Sequence, residues 1–335
     1  MAEKKKVLAT FPFDPHIIPQ YDEIQAEFEQ HGFQVTVDPR LRKLTFDELV
    51  EALQGCYAHV VAGERITREV MAACPTVKQF ARMGAGVDTV DIDAATKAGV
   101  VITNTPGANA ETVAEHTIAM MLALTRGIVY LDTTMRQGIF QNYFGHALLR
   151  STVGLIGFGH IGKNVAKMLA GFDCRVLVFD KYTQSQELAE QYHVEFCSLE
   201  TLLRESDFIS IHAPLTAETA NMIGKREFGW MKPTVQLINC ARGGIIDEQA
   251  LVDALREHRI LGAALDAYSE EPLPMEHPLY TLPNVILSPH TAGMTYEGRG
   301  KVVKMAFQNI ADQAEGKIPY GIINREVWTK RGESK

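Results

Sequence analysis

The residues from Val153 to Gly162, Val-Gly-Leu-Ile-Gly-Phe-Gly-His-Ile-Gly, constrain this chain more than any other stretch. An apolar run leads straight into G-x-G-x-x-G and then into a helical pattern from Lys163 to Ala170. Each glycine has its own use. Gly157 permits the tight turn, Gly159 lets backbone approach a bound pyrophosphate, and Gly162 lets helix and strand pack closely. The helix start then presents unpaired N–H groups and a positive dipole end to the phosphates. A second apolar run, 175–179, ends at Asp180, 18 residues beyond Gly162. That is close to the ~20 expected for the acid that holds a ribose 2′-hydroxyl. An anion at this place repels a 2′-phosphate, so the spacing predicts NAD rather than NADP. The competing reading is an acid that merely ends a strand.

At 335 residues the chain exceeds what a single core usually serves, so two domains are expected. Its first hundred residues alternate short apolar runs (7–9, 35–37, 59–61, 77–80, 100–102) with helical patterns (24–33, 46–53, 68–73, 91–97). That rhythm predicts an α/β fold with a parallel sheet covered by helices. Asn104-Thr105-Pro106-Gly107 interrupts it and marks a domain crossing. Residues 111–124 read as a long helix, apolar on most sides, which places it between domains or subunits. Residues 130–150 read as irregular. Tyr143, Phe144 and His146 there suit either a dimer arm or a packed loop. From Ser151 the β-α rhythm returns, with strands at 208–211, 235–239, 262–265 and 285–287. A closing helix, 295–315, is expected to rejoin the first domain and so make the second an insertion within it.

Charge and cysteine content exclude several classes. A net charge of −8 gives no nucleic-acid footprint, and the one basic run, Lys4-Lys5-Lys6, reads as a solvated tail. No apolar stretch is long enough to span a bilayer, and no signal peptide is visible. The five cysteines are scattered without C-x-x-C, which predicts free thiols in a reduced cytoplasmic setting and no metal site.

Ligands of open α/β sheets bind beyond the carboxyl ends of the strands. In the second half those ends carry His212-Ala213-Pro214, then Cys240-Ala241-Arg242-Gly243-Gly244, then Asp266 with the loop Glu270-Glu271-Pro272, then Ser288-Pro289-His290. An arginine, an acid and a histidine thus share the edge that bears the glycine loop. Hydride transfer to a keto acid needs these types: a guanidinium for bidentate hold of a carboxylate, an imidazole that donates a proton near neutral pH, and a carboxylate that orients it. Each has a plainer reading: Arg242 as a surface ion pair, Glu271 as solvated charge, His290 as a structural histidine. Glu115 and His116 read as packing or capping groups. Cys240 reads as a small strand-end residue.

Taken together, the glycine loop, Asp180, the stretch from Asn239 to Asp247, the stretch from Asp266 to Pro272, and Ser288-Pro289-His290-Thr291-Ala292-Gly293 resemble the D-isomer-specific 2-hydroxyacid dehydrogenase family. Gly84-Ala85-Gly86-Val87-Asp88 and Asn104 to Asn109 look like that family's substrate loop and crossing helix. The resemblance is strongest to its phosphoglycerate dehydrogenase-like branch. It implies a Rossmann-type doubly wound NAD domain, residues 104–293, inserted in a flavodoxin-like α/β substrate domain, residues 1–103 and 294–335. It implies that Arg242 binds the substrate carboxylate and carbonyl, that His290 donates the proton, and that Glu271 pairs with His290. His160 and Ile161 would meet the pyrophosphate through backbone, and Asp180 the adenosine ribose. Ala213, Cys240, Ala241 and Asp266 would line the cofactor site, and the backbone of Ala85 and Gly86 would hold the substrate carboxylate. The implied partner is a small 2-hydroxy or 2-keto acid, and the implied assembly a homodimer. Two departures stand out. Val61-Ala62-Gly63 occupies the place where members acting on 3-phosphoglycerate carry an arginine, and Ile139-Phe140 replaces a usual tryptophan. The alternative from another class is an NAD(H)-binding corepressor-like sensor without turnover, which the family also includes.

Overall fold

The computed structural model describes residues 3–182 and 184–332. The chain divides into two compact units, Met1–Asn109 with Thr295–Lys335, and Ala110–Met294. In the first, strands β1 (Lys5–Ala9), β2 (Phe33–Val37), β3 (Ala58–Val61), β4 (Gln79–Arg82) and β5 (Val101–Thr103) form a wholly parallel sheet in the order β2-β1-β3-β4-β5. Helices α1 (Tyr21–Gln30), α2 (Phe46–Ala52), α3 (Arg68–Ala73) and α4 (Ile92–Ala98) supply the crossovers. Caps fix their limits. Thr45 and Glu48 make a reciprocal box at the start of α2, and α4 runs from an Asp91 cap to Gly99, whose φ is +68°.

The second unit opens with α5 (Ala110–Thr125) and α6 (Ile128–Arg136). Seven parallel strands follow: β6 (Thr152–Ile156), β7 (Arg175–Phe179), β8 (Val194–Phe196), β9 (Phe208–Ile211), β10 (Gln236–Asn239), β11 (Gly262–Leu265) and β12 (Val285–Leu287). Helices α7 (His160–Leu169), α8 (Gln186–Tyr192), α9 (Leu199–Glu205), α10 (Lys225–Trp230) and α11 (Glu248–Arg256) lie between them. The order β12-β11-β10-β9-β6-β7-β8 reverses direction between β6 and β9, as in a doubly wound dinucleotide fold. Each face of this sheet buries its own apolar cluster. One gathers Ile209, Ile211, Leu237 and Leu251, the other Val153, Leu155, Val165 and Met121.

After the second unit the chain re-enters the first through α12 (Tyr296–Ala314) and α13 (Glu326–Gly332). Phe307 of α12 stacks on Phe28 of α1 at 4.6 Å, and Phe28 stacks on Phe33 at 4.3 Å. The change of unit falls after Asn109 rather than after residue 103. Residues 104 and 105 stay with the first unit because Asn309 Nδ2 donates to Asn104 O at 2.9 Å and Thr105 N donates to Gly84 O at 3.1 Å.

Several expectations need correction. Lys5 and Lys6 are the exposed start of β1, not a tail. Helix α1 stops at Gln30, since Gly32 turns the chain at φ +87° and Phe33 is needed, buried, in β2. Strand β4 lies two residues later than expected, set by the pairing of Val61 with Arg82. The stretch 130–150 is not wholly irregular, because α6 occupies its first part. Helix α5 lies within the second unit, where Val113, Ala114, Met120 and Met121 pack with Val165, Ala166 and Leu169 of α7. Among the described residues no single helix is long and apolar enough to cross a membrane.

Candidate active site

The glycine loop sits at the reversal between β6 and β9. Gly157 has φ +100°, and a Cβ on it would lie 2.7 Å from Ala213 N, so only glycine fits where the loop meets the turn after β9. A Cβ on Gly162 would lie 2.3 Å from Gly157 O, which is the close helix–strand approach in measurable form. At Gly159, by contrast, nothing stands within 4 Å of that position. The N-terminus of α7, at His160 and Ile161, therefore opens onto free space, with His160 exposed. Asp180, at the end of β7, accepts from Phe158 N at 2.7 Å through one oxygen and from Tyr182 N at 2.8 Å through the other. The acid and the loop are thereby one rigid piece. Loop, helix end and acid fit a dinucleotide: an anion pocket of backbone N–H groups beside a carboxylate placed for a ribose.

Further along the same edge, Glu271 and His290 meet. His290 Nδ1 lies 2.9 and 2.8 Å from the two carboxylate oxygens of Glu271. Burial pushes the Glu271 carboxyl up. The hydrogen bond and charge of His290, the Tyr268 N–H and the charge of Arg242 outweigh burial and hold it below its ordinary range. An ionised carboxylate only accepts, so Nδ1 carries the hydrogen and Nε2 is left to face a reactant. His290 has φ +54°, a left-handed conformation that costs energy for a non-glycine residue and aims this side chain.

That strained turn is pinned from below. Asp266, 1% exposed, accepts from Ser288 Oγ at 2.6 Å, from Thr291 N at 2.8 Å and from Ala292 N at 2.8 Å. Tyr268 closes the same turn, its hydroxyl donating toward Ser288 O at 2.9 Å and Leu265 O at 3.0 Å, while its N–H donates to Glu271 Oε1 at 3.1 Å. Neither the tyrosine nor a pinning role for Asp266 is visible in local sequence. His116 is a second omission. Its Nε2 stands 3.4 Å from Ser288 Oγ and 3.8 Å from Asp266 Oδ1, so it is tied to the turn rather than being a packing group. The link spans 172 residues, and no local pattern signals it.

Arg242 follows β10, half-buried, with Nη1 donating to Ala241 O at 2.8 Å. Asn239 grips this turn, its Nδ2 donating to Arg242 O at 2.8 Å and its Oδ1 accepting from Ala241 N at 3.1 Å. Gly243 is obligatory, since a Cβ there would fall 1.9 Å from Tyr268 C. Cys240 is no nucleophile. Burial pushes its thiol up to about 12, and it stays protonated. His212 is buried beside Gly157, and burial pushes its imidazole down to about 3, which keeps the ring neutral. A cavity of about 530 Å³ opens against the Glu271–His290 pair, walled by Tyr268, Leu273, Tyr280 and Leu287 among others. In the first unit, exposed Ala85 and neighbouring Gly86 form the turn after β4, held by Asn104 Nδ2 donating to Ala85 O at 2.7 Å.

Residues 118–292 match the model of the D-isomer specific 2-hydroxyacid dehydrogenase, NAD binding domain. A glyoxylate reductase of Thermofilum pendens is 42% identical, over 79% of this chain and 80% of its own length. A D-3-phosphoglycerate dehydrogenase of Archaeoglobus fulgidus is 38% identical over 86% of this chain, which spans 54% of that longer protein. The apo-structure of D-lactate dehydrogenase from Escherichia coli superposes with a TM-score of 0.82 at 30% identity, covering 95% of this chain and 99% of the other.

Proposed function

The chain belongs to the D-isomer-specific 2-hydroxyacid dehydrogenase family and is an NAD-dependent oxidoreductase, and from that premise we propose that it reduces a short 2-keto acid to the D-2-hydroxy acid, with Arg242, Glu271 and His290 as its working residues. The observation that carries this reading is the Glu271–His290 pair, at 2.8 Å, on the sheet edge that bears the glycine loop. NADH, when bound, supplies the hydride to the keto carbon. The chain's own residues do the rest. Arg242 holds the substrate carboxylate with a fork that lysine lacks and polarises the carbonyl. In the first unit, the backbone N–H groups of Ala85 and Gly86 are assigned to holding a substrate carboxylate. His290 Nε2 gives its proton to the forming alkoxide, and Glu271 stabilises the imidazolium beforehand. In the oxidative direction the same nitrogen takes the proton back.

His160 and Ile161 hold the pyrophosphate through backbone, Asp180 the adenosine ribose, and Ala213, Cys240, Ala241 and Asp266 line the cofactor site. The protein works as a homodimer. Support for that comes from the arm formed by α6 and the following residues, where Phe140 and Phe144 are 89% and 95% exposed and Ile128, Val129 and Met135 about half exposed. A panel of 2-keto acids, each followed by NADH absorbance and by chiral analysis of product, tests the reading. NADH consumption with only the D-isomer formed is expected. No consumption with any keto acid, or formation of the L-isomer, overturns it.

A further inference from the structure

The acid of the working pair sits on a loop, and a second carboxylate holds that loop at both ends. Glu248 opens α11, in the stretch that follows the Arg242 turn, and its side chain is half-buried. Its Oε1 accepts from Ser269 N at 2.6 Å. Its Oε2 lies 3.6 Å from His277 Nε2. His277 Nδ1 accepts from Leu279 N at 3.3 Å, so the ring hydrogen is on Nε2, toward Glu248. One carboxylate therefore closes the neck of the loop 269–277, and Glu271 lies inside it.

An acid in the first turn of a helix has a plainer use, since it faces the positive end of the dipole. The helix start is already capped here by Asp247, whose side chain accepts from Ala250 N at 3.1 Å. The oxygens of Glu248 are spent on the loop instead. A carboxylate that accepts from a backbone N–H makes a charge-assisted bond, about twice as strong as a neutral one. The peptide it grips bears directly on the working pair. Tyr268, next to Ser269, donates its N–H to Glu271 Oε1 at 3.1 Å, and that same oxygen lies 2.9 Å from His290 Nδ1. The Arg242 turn presses on this peptide as well, since a Cβ on Gly243 would fall 2.3 Å from Ser269 N. Further out, Tyr280 donates its hydroxyl to Leu273 O at 3.2 Å and ties the loop to itself. A reacting group that must keep its place to within about 0.5 Å needs support of this kind.

We propose that Glu248 is a positioning residue for Glu271: by binding Ser269 N and His277 it sets the loop that presents the acid to His290. The inference rests on the reading above, that Glu271 and His290 work as a pair in keto-acid reduction. Glu248 itself meets neither reactant nor cofactor and acts through Glu271.

The test uses the full chain and a keto acid that the parent reduces. Glu248→Ala should lower kcat about 10-fold, while the Kd for NADH and the KM for the keto acid stay within about twofold of the parent. Glu248→Gln keeps an acceptor for Ser269 N and should retain at least about half of kcat. Glu248→Met keeps the stem without the acceptor, and carries the expectation of Glu248→Ala should that variant fail to fold. The decisive arm is a double-mutant cycle. With Glu271→Ala there is no acid left to place, so adding Glu248→Ala should change kcat by less than about twofold. An undiminished loss in both backgrounds, an unchanged kcat in Glu248→Ala or Glu248→Met, or a Glu248→Gln variant as slow as Glu248→Ala overturns the proposal. If no keto acid is reduced at all, the functional reading falls by itself, and the loop is judged on amide hydrogen exchange alone. The Tyr268 amide is bonded to Glu271 and not to Glu248, and its exchange should quicken about 10-fold in Glu248→Ala. An unchanged rate at Tyr268 overturns the positioning role.

Discussion

Asp266→Asn is the most informative single change, because it alters one atom while leaving every named working residue in place. The parent carboxylate is 1% exposed and accepts from three donors, Ser288 Oγ and Thr291 N at one oxygen and Ala292 N at the other. The asparagine oxygen keeps one oxygen's pair of bonds. Its amide nitrogen then faces Ala292 N–H, a donor against a donor. The N–H left bare costs about 1–3 kcal/mol, and the two surviving bonds lose their ionic character for about another 1 kcal/mol. A total of about 2–4 kcal/mol lowers the Tm of a unit this size by roughly 5–12 °C. The turn also carries His290 at φ +54°, a conformation it does not hold unaided. A displacement on the order of 1 Å there lowers kcat by about 100-fold. Differential scanning fluorimetry and steady-state NADH oxidation read both effects. A Tm within about 2 °C of the parent together with unchanged kcat refutes the claim that Asp266 pins the turn.

Other outcomes follow from the same geometry. Glu271→Gln removes the carboxylate that orients His290 through Nδ1 at 2.8 Å, so kcat should fall by about 100-fold with NADH binding unchanged, and an unaltered kcat would remove Glu271 from the mechanism. In the parent, the lowered Glu271 group contributes stability above the ordinary carboxyl range and loses it as pH falls through its folded value, a contribution that the glutamine variant should lack in acid titrations of Tm. Against NADPH, the Asp180 carboxylate opposes the 2′-phosphate by about 2 kcal/mol, about 30-fold in kcat/KM; equal use of both cofactors would contradict its assignment. Gly162→Ala drives a methyl to 2.3 Å from Gly157 O and should weaken NADH binding measured by fluorescence titration, with retained affinity the contrary result. Sedimentation of the intact chain should give a dimer, and Phe140→Asp with Phe144→Asp a monomer.

Much of this was legible in sequence because it is local. A strand, a glycine turn and a helix start are fixed by neighbouring residues, so Arg175–Phe179, Phe208–Ile211, Gly262–Leu265 and Val285–Leu287 match the spans read from pattern alone. Arg242, Glu271 and His290 were also legible as types emerging at strand ends, and the structure joins the last two directly. What escaped depends on long-range contact. His116 reaches Ser288 across 172 residues, and Asp266 reaches Thr291 and Ala292 across 25 and 26. Helix α6 escaped for another reason. Its apolar residues face outward, so its pattern does not report a core within this chain.

A single-turnover measurement with His290→Ala tests the central claim most directly. Limiting NADH pre-mixed with excess enzyme is rapidly combined with a keto acid that the parent reduces, and the decay at the nicotinamide absorbance is followed. Loss of the proton donor should slow that step by about 100-fold or more, with NADH binding intact by fluorescence. Decay at the parental rate would contradict the account.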